Sequence, residues 1–370
     1  MPAGQWTDEI LDPKRKCGDP LADAAIEEIY DLGREDEVRA ALGALGRNAG
    51  PVPEGLPDRL RAYFAASQVL PEWADPALIR RGQGLLGRYQ GHITTNLLCA
   101  SLPLCYGCAN GAQVLHLSTR LTEGVFRRLM ETAQFVVDVL DTGSLDPAGR
   151  GIRSAQTIRL LHATMRYHLS RHDAWDTAWG VPVNQEDLAG TLMSFSVVIP
   201  KGLAKLGVEL PAADRDAYFH LWRVVGQVLG IDERLNPERF EDGATLMDAI
   251  LRRQQRPSEA GTRLTKGVLD FIRECLPGPL FAGVGPSLIR HLAGDHAADI
   301  VSVPPADLSK IALQATDPLS FGYGKSGDVV PLLAKASNEL GLAVFKQGLK
   351  MTNKGQRYRW QVPTGLTPAN

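Results

Sequence analysis

The sequence has almost no net charge: 40 Lys and Arg stand against 42 Asp and Glu, a formal balance of −2. Without a basic excess there is no overall field to attract nucleic acid or an anionic membrane surface, which excludes both as general partners. Nor is there an apolar run of the ~18 residues that a membrane-spanning helix requires. The opening stretch, MPAGQWTDEILDPKRKCGDP, lacks the basic start, apolar segment and small-residue cleavage site of a secretory signal. Cysteine is scarce, with five residues at 17, 99, 105, 108 and 275. An odd number scattered through a long chain argues against a disulfide framework, and the expectation is reduced thiols in a cytoplasmic protein. Repeats and low-complexity tracts are missing too. With 44% hydrophobic residues, the chain is equipped to bury a large interior.

What the sequence does have is helical periodicity, which predicts an all-α fold. Helices are expected at Leu21–Leu32 and Glu35–Leu45, followed by the proline-rich and glycine-rich stretch Asn48–Pro57, read as a linker. This divides the chain into an N-terminal helical extension, 1–50, and a main helical domain, 51–370. In the main domain, helices are expected near Pro57–Val69, Asp75–Cys99, Thr122–Leu140, Ile152–Arg171, Gln185–Leu206, Ala213–Leu229, Ala244–Arg253, Arg263–Leu276, Pro286–Leu292 and Val329–Leu349. Asn184, ahead of Gln185-Glu186-Asp187, reads as an N-cap with an acidic first turn. Strand-like alternation occurs only at Arg357–Val362.

The segment GIRSAQTIRLLHATMRYHLSRH, residues 151–172, carries the most unusual chemistry. At about 100° per residue, Ile158, Leu161, Met165 and Leu169 form one apolar stripe. Arg159 and Arg166 lie on the neighbouring strip with His162 between them. Buried guanidinium groups need anionic partners. A haem would satisfy the set: its apolar body on the stripe, its iron on the neutral imidazole and its propionates on the arginines. The alternative is a satisfied core histidine, with both arginines paired to carboxylates of other helices.

Three ordered motifs bear on this choice: Arg159-Leu-Leu-His162-Ala-Thr-Met-Arg166, Gly180-Val-Pro-Val-Asn-Gln185-Glu-Asp-Leu, and His220-Leu-Trp222-Arg223-Val-Val-Gly226. Together they resemble the MpaB/rubber oxygenase superfamily, which includes the latex clearing proteins, over roughly residues 85 to 235. The resemblance implies haem b in a globin-like helical core with extra N- and C-terminal helices, and His162 as the iron's axial ligand between Arg159 and Arg166. It also implies a distal pocket supplied by Gly124–Thr132, with Arg128 and Thr132 at the matching positions. Arg128, Thr132, Phe135 and Val139 share one helical face, although Arg128 could instead pair with Glu131 at the surface.

The chain departs from latex clearing proteins at two places. Glu131 stands where they carry a lysine that can ligate the iron; a carboxylate there could bind ferric iron weakly, relay a proton or only neutralise Arg128. The stretch Cys105-Tyr-Gly-Cys108-Ala-Asn110-Gly-Ala-Gln113 holds no acid where they carry a catalytic glutamate. Both differences shift the expectation from rubber to a smaller apolar, unsaturated, isoprenoid-like substrate. The enzyme expected is a haem-dependent oxygenase with dioxygen bound opposite His162, Arg128 donating to it, Thr132 orienting it and Glu131 relaying a proton. If the chemistry follows the family, a C=C bond is cleaved into two carbonyls. A non-catalytic haem sensor or carrier is the alternative. Three other features are read as structural. His168 and His172 are taken as solvated residues at a helix end. Cys105-x-x-Cys108 packs at a helix-to-turn junction, and Trp175, Trp179 and Trp222 are expected to be core anchors.

Overall fold

A computed structural model describes residues 6–44, 47–118, 125–278, 281, 283–306 and 330–351. Among these residues the chain is helical, with one isolated bridge between Cys108 and Gln255 and no strand, which bears out the all-α class. The expected extended segment at 357–362 lies outside the described residues. No helix among them is long and apolar enough to cross a membrane.

The helices that frame the interior are α1 (Asp8–Arg15), α2 (Pro20–Asp31), α3 (Glu35–Ala44), α4 (Asp58–Gln68), α5 (Pro76–Asn96), α6 (Leu102–Gly107), α7 (Ala109–Leu117), α8 (Val125–Leu140) and α9 (Gly151–Leu169). They continue with α10 (Gln185–Ser196), α11 (Val198–Lys205), α12 (Ala212–Val228), α13 (Phe240–Gln254), α14 (Glu259–Cys275), α15 (Val284–Ala293), α16 (Asp295–Ile300) and α17 (Val330–Met351). Central helix α5 packs on α12, α17, α11 and α8, while α9 packs on α2, α8, α12 and α4.

Proline accounts for two of the differences from the expected boundaries. The helix expected over Gln185–Leu206 breaks at Val197 into α10 and α11. Pro200 has no N–H for the Ser196 carbonyl, and its ring crowds that group. Likewise α5 passes through a π-helical turn, Leu97–Ser101, before α6, because Pro103 cannot donate to Cys99. The N-cap at Asn184 is as expected: its Oδ1 accepts from the Asp187 N–H at 3.0 Å.

Asn48, at the start of the stretch read as a linker, is buried. Its Nδ2 donates to the carbonyls of Ser144 (2.8 Å) and Asp146 (2.7 Å), and its Oδ1 accepts from the Ile152 (3.1 Å) and Arg153 (3.3 Å) N–H groups. A single amide thus caps the first turn of α9 from a distant part of the chain. Leu160 and Ala163 on the back of α9 join an apolar cluster with Ile26, Ile29, Tyr63 and Phe64 of α2 and α4. Trp222 is fully buried and stacks on Phe195 with ring centroids 4.9 Å apart, as expected of a core anchor. Trp175 and Trp179 form a half-buried edge-to-face pair instead.

Candidate active site

The front of α9 faces a cavity of ≈ 300 Å³ that is lined mostly by apolar side chains, a size within the range of small-molecule sites. Ile158, Leu161, His162 and Met165 supply one wall, so the stripe seen in the sequence lines a cavity as well as a core. Arg128, Glu131, Thr132 and Phe135 reach it from α8. A histidine and three polar residues about 30 positions apart therefore share one space because α8 and α9 pack side by side.

The His162 ring fits the role of a ligand. Its Nδ1 is sealed in the interior without a hydrogen-bond partner, and Nε2, which forms no hydrogen bond among the described residues, is the ring nitrogen left to face the cavity. Burial, with the Arg166 charge adding, pushes its pKa from 6.5 down to about 3. The imidazole is therefore neutral at physiological pH, the form in which it coordinates a metal. A pH dependence follows for the ligand-free protein. The folded ring refuses a proton that the unfolded ring accepts below 6.5. Its stability contribution is therefore complete above that value and falls as the pH drops towards 3, by up to about 1.4 kcal/mol per unit. Urea denaturation of wild type and His162→Gln at several pH values checks this, and the variant should lose that part of the slope.

The two arginines correct one expectation. Neither lines the cavity. Arg159 grips Asp19, with Nε to Oδ2 at 2.5 Å and Nη2 to Oδ1 at 2.8 Å, while its Nη1 donates to the Val228 carbonyl at 3.0 Å. Arg166 Nε donates to Asp23 Oδ1 at 2.6 Å and its Nη1 to the Val183 carbonyl at 2.9 Å. Protein carboxylates at the start of α2, 140 and 143 residues away, thus take the place assigned to propionates. The physical reason is that a desolvated guanidinium is satisfied within the fold before any ligand arrives. Gly230 makes room for this clamp: it sits at φ +76, and a Cβ there would lie 2.4 Å from Arg159 Cζ.

Arg128 is different. It forms no ion pair or hydrogen bond among the described residues, and burial lowers its pKa while Tyr106 and Glu131 act on it electrostatically. Glu131 is buried, so the surface pair offered as the alternative is not what forms. His168 Nε2 lies 2.7 Å from the Tyr30 hydroxyl, and no group of three or more metal-binding side chains occurs among the described residues. Cys105 and Cys108 sit at the α6–α7 junction as expected and also line the cavity, their thiol pKa values pushed up by burial.

Among the cavity residues that sequence reasoning missed, two carry titratable groups. Asp187 doubles as a capping residue and is held by Arg15 Nη1 (3.0 Å) and Asn184 Nδ2 (2.8 Å); burial raises its pKa. Tyr106 lies in a stretch whose proline and glycine read as a turn. Its neighbours Leu104 and Cys105 are also cavity or core groups, and that apolar run was the available signal.

Comparison with known proteins places this arrangement. The chain is 25% identical over 368 residues to the rubber oxygenase of Streptomyces sp. (strain K30), covering 95% of this chain and 86% of that protein. The solved structure of latex clearing protein LCP in the closed state has the same fold, with a TM-score of 0.76 at 22% identity over 89% of this chain and 91% of that one. The family model described as ER-bound oxygenase mpaB/B'/rubber oxygenase, catalytic domain, matches residues 95–318, which contain every cavity residue named above. The chain belongs to this family of oxygenases.

Proposed function

We propose that the protein is a haem b-dependent oxygenase acting on an apolar, unsaturated, isoprenoid-like small molecule. The observation that carries this reading is the neutral His162 imidazole, whose Nε2 forms no hydrogen bond among the described residues, on the wall of an apolar cavity that also holds Arg128, Glu131 and Thr132. These residues fit an iron porphyrin: a nitrogen ligand, a flat apolar lining from Ile158, Leu161 and Met165, and hydrogen-bond donors across the space. Once bound through His162, haem b supplies the iron at which dioxygen is activated.

The chain's own groups do the rest. Arg128 offers guanidinium N–H groups, and Thr132 its hydroxyl, to dioxygen in the cavity, where a low dielectric strengthens both. The Glu131 carboxylate holds and returns a proton on the same helix. Phe135, Phe195 and Trp222 exclude water and give a hydrocarbon its contact surface. Arg159 and Arg166 serve the site from behind, fixing α9 to α2 so that the ring of His162 keeps its place. The N-terminal extension, 1–50, thereby becomes part of the support of the haem ligand.

Oxygen uptake by the haem-loaded protein tests the reading. Squalene should be consumed with one O₂ per cleaved double bond and with carbonyl products. The saturated analogue squalane should give no uptake above buffer. Equal, background uptake with both, in protein that keeps its haem, would establish the carrier or sensor instead.

A further inference from the structure

We infer that Tyr106 is a further catalytic group of this site, a hydroxyl that donates, beside Arg128, to an oxygen atom held in the cavity. The inference rests on the oxygenase reading above.

The phenol stands in the right place. Tyr106, near the end of α6, lines the cavity together with Arg128, Glu131, Thr132 and His162 and is otherwise buried. Its hydroxyl forms no hydrogen bond among the described residues, yet it is not one of the sealed, unsatisfied atoms of the interior. The hydroxyl therefore borders the cavity space. Buried tyrosines elsewhere behave differently: Tyr63 donates to the Gln156 carbonyl at 2.6 Å, and the Tyr218 hydroxyl is enclosed in the core. A buried polar group normally finds a partner, so a hydroxyl without one at a cavity wall is poised for a guest.

Charge points the same way. Tyr106 and Arg128 feel each other electrostatically, and Arg128 forms no ion pair among the described residues. Burial pushes the phenol's pKa up and outweighs the lowering by Arg128, so the hydroxyl stays protonated and can only donate to an anionic oxygen. The other charged or titratable groups that act on the pair are Cys105 and Glu131. Two donors, one cationic and one neutral, line one space, and no group among the described residues accepts from them. Oxygen that gains negative charge during reaction is the ligand they fit.

The support is rigid, as donors of this kind require. The Gly107 carbonyl accepts from the Arg256 N–H at 3.1 Å, and Cys108 pairs with Gln255. At the start of α14, Gly261 approaches so closely that a Cβ there would lie 2.4 Å from the Tyr106 carbonyl oxygen. The backbone carrying the phenol is thus clamped from α13 and α14.

Tyr106→Phe removes the hydroxyl and keeps the ring, so a role in packing alone predicts no change. The test is the infrared stretch of carbon monoxide bound to the ferrous, haem-loaded protein, which reports hydrogen-bond donors near the ligand independently of turnover. Tyr106→Phe should move the stretch to higher frequency, in the direction produced by Arg128→Gln, and lower kcat about 100-fold with KM little changed. A difluorotyrosine at 106, a stronger donor of nearly the same shape, should move it to lower frequency. An unchanged stretch in both proteins overturns the assignment of Tyr106 while leaving the oxygenase reading in place. A wild-type chain that takes up no haem overturns that reading, and this inference with it.

Discussion

Replacing His162 by alanine should abolish the Soret band of the haem-loaded protein while leaving the helical fold intact. The fold should survive because the imidazole is not part of the hydrogen-bond network: its Nδ1 has no partner, and alanine is the better helix former. Removing it takes away a neutral ring from a cavity wall and breaks no buried ion pair. Iron, by contrast, loses the nitrogen that the cavity offers, and neighbouring Leu161 and Ala163 provide no substitute. Added imidazole should enter the space left by the side chain and restore the band. Absorption spectra and far-ultraviolet circular dichroism of the two proteins, with and without imidazole, check both halves. Full haem content and an unchanged spectrum in the variant would remove His162 from the site.

Asp19→Ala should be the most destabilising single change among the residues discussed, by about 3–5 kcal/mol. The substitution lies outside the residues matched by the family model, but it strips Arg159 of a two-point ion pair in which the side chains are only 10% and 3% exposed. The guanidinium cannot turn to solvent, because Val228 and Gly230 hold it in place, so its charge remains buried and uncompensated. Removing both charges in Asp19→Ala/Arg159→Leu should be milder than the sum of the single changes. Equilibrium urea denaturation of the two single variants and the double variant measures this. A loss below about 1 kcal/mol in Asp19→Ala would mean that Arg159 draws its counter-charge from another group.

The contrast between these residues shows what a sequence can and cannot reveal. Ile158, Leu161, His162 and Met165 were legible because neighbours on one helix face obey a fixed period, and that face borders the cavity. Arg128, Thr132 and Phe135 were legible as one helix face for the same reason, and the resemblance supplied Glu131 and the pairing of the two helices. The partners of Arg159 and Arg166 were not, since Asp19 and Asp23 are separated from them by more than a hundred residues and no periodicity links them. Asn48 was misread for a related reason: its segment has the composition of a linker, and only the fold shows its amide capping α9. Helix ends displaced by Pro103 and Pro200 follow from a rule that names the residue but leaves open whether the chain breaks, kinks or widens its turn.

Position 131, where the resemblance implies a lysine in latex clearing proteins, carries an acid here. Glu131 is buried, and its charge acts on Arg128, as Tyr106 does. With a lysine at 131 two cations would share a desolvated wall, and each would weaken the other.

The central claim is a bond between His162 and porphyrin iron inside this cavity, and an electron-density map of crystals grown from haem-reconstituted protein tests it most directly. The expected map places the porphyrin against Ile158, Leu161 and Met165, with an imidazole nitrogen of His162 on the iron and Arg128, Thr132 and Tyr106 on the other face. Iron bound by another side chain, or a porphyrin lodged outside the cavity while His162 faces an empty interior, would contradict it.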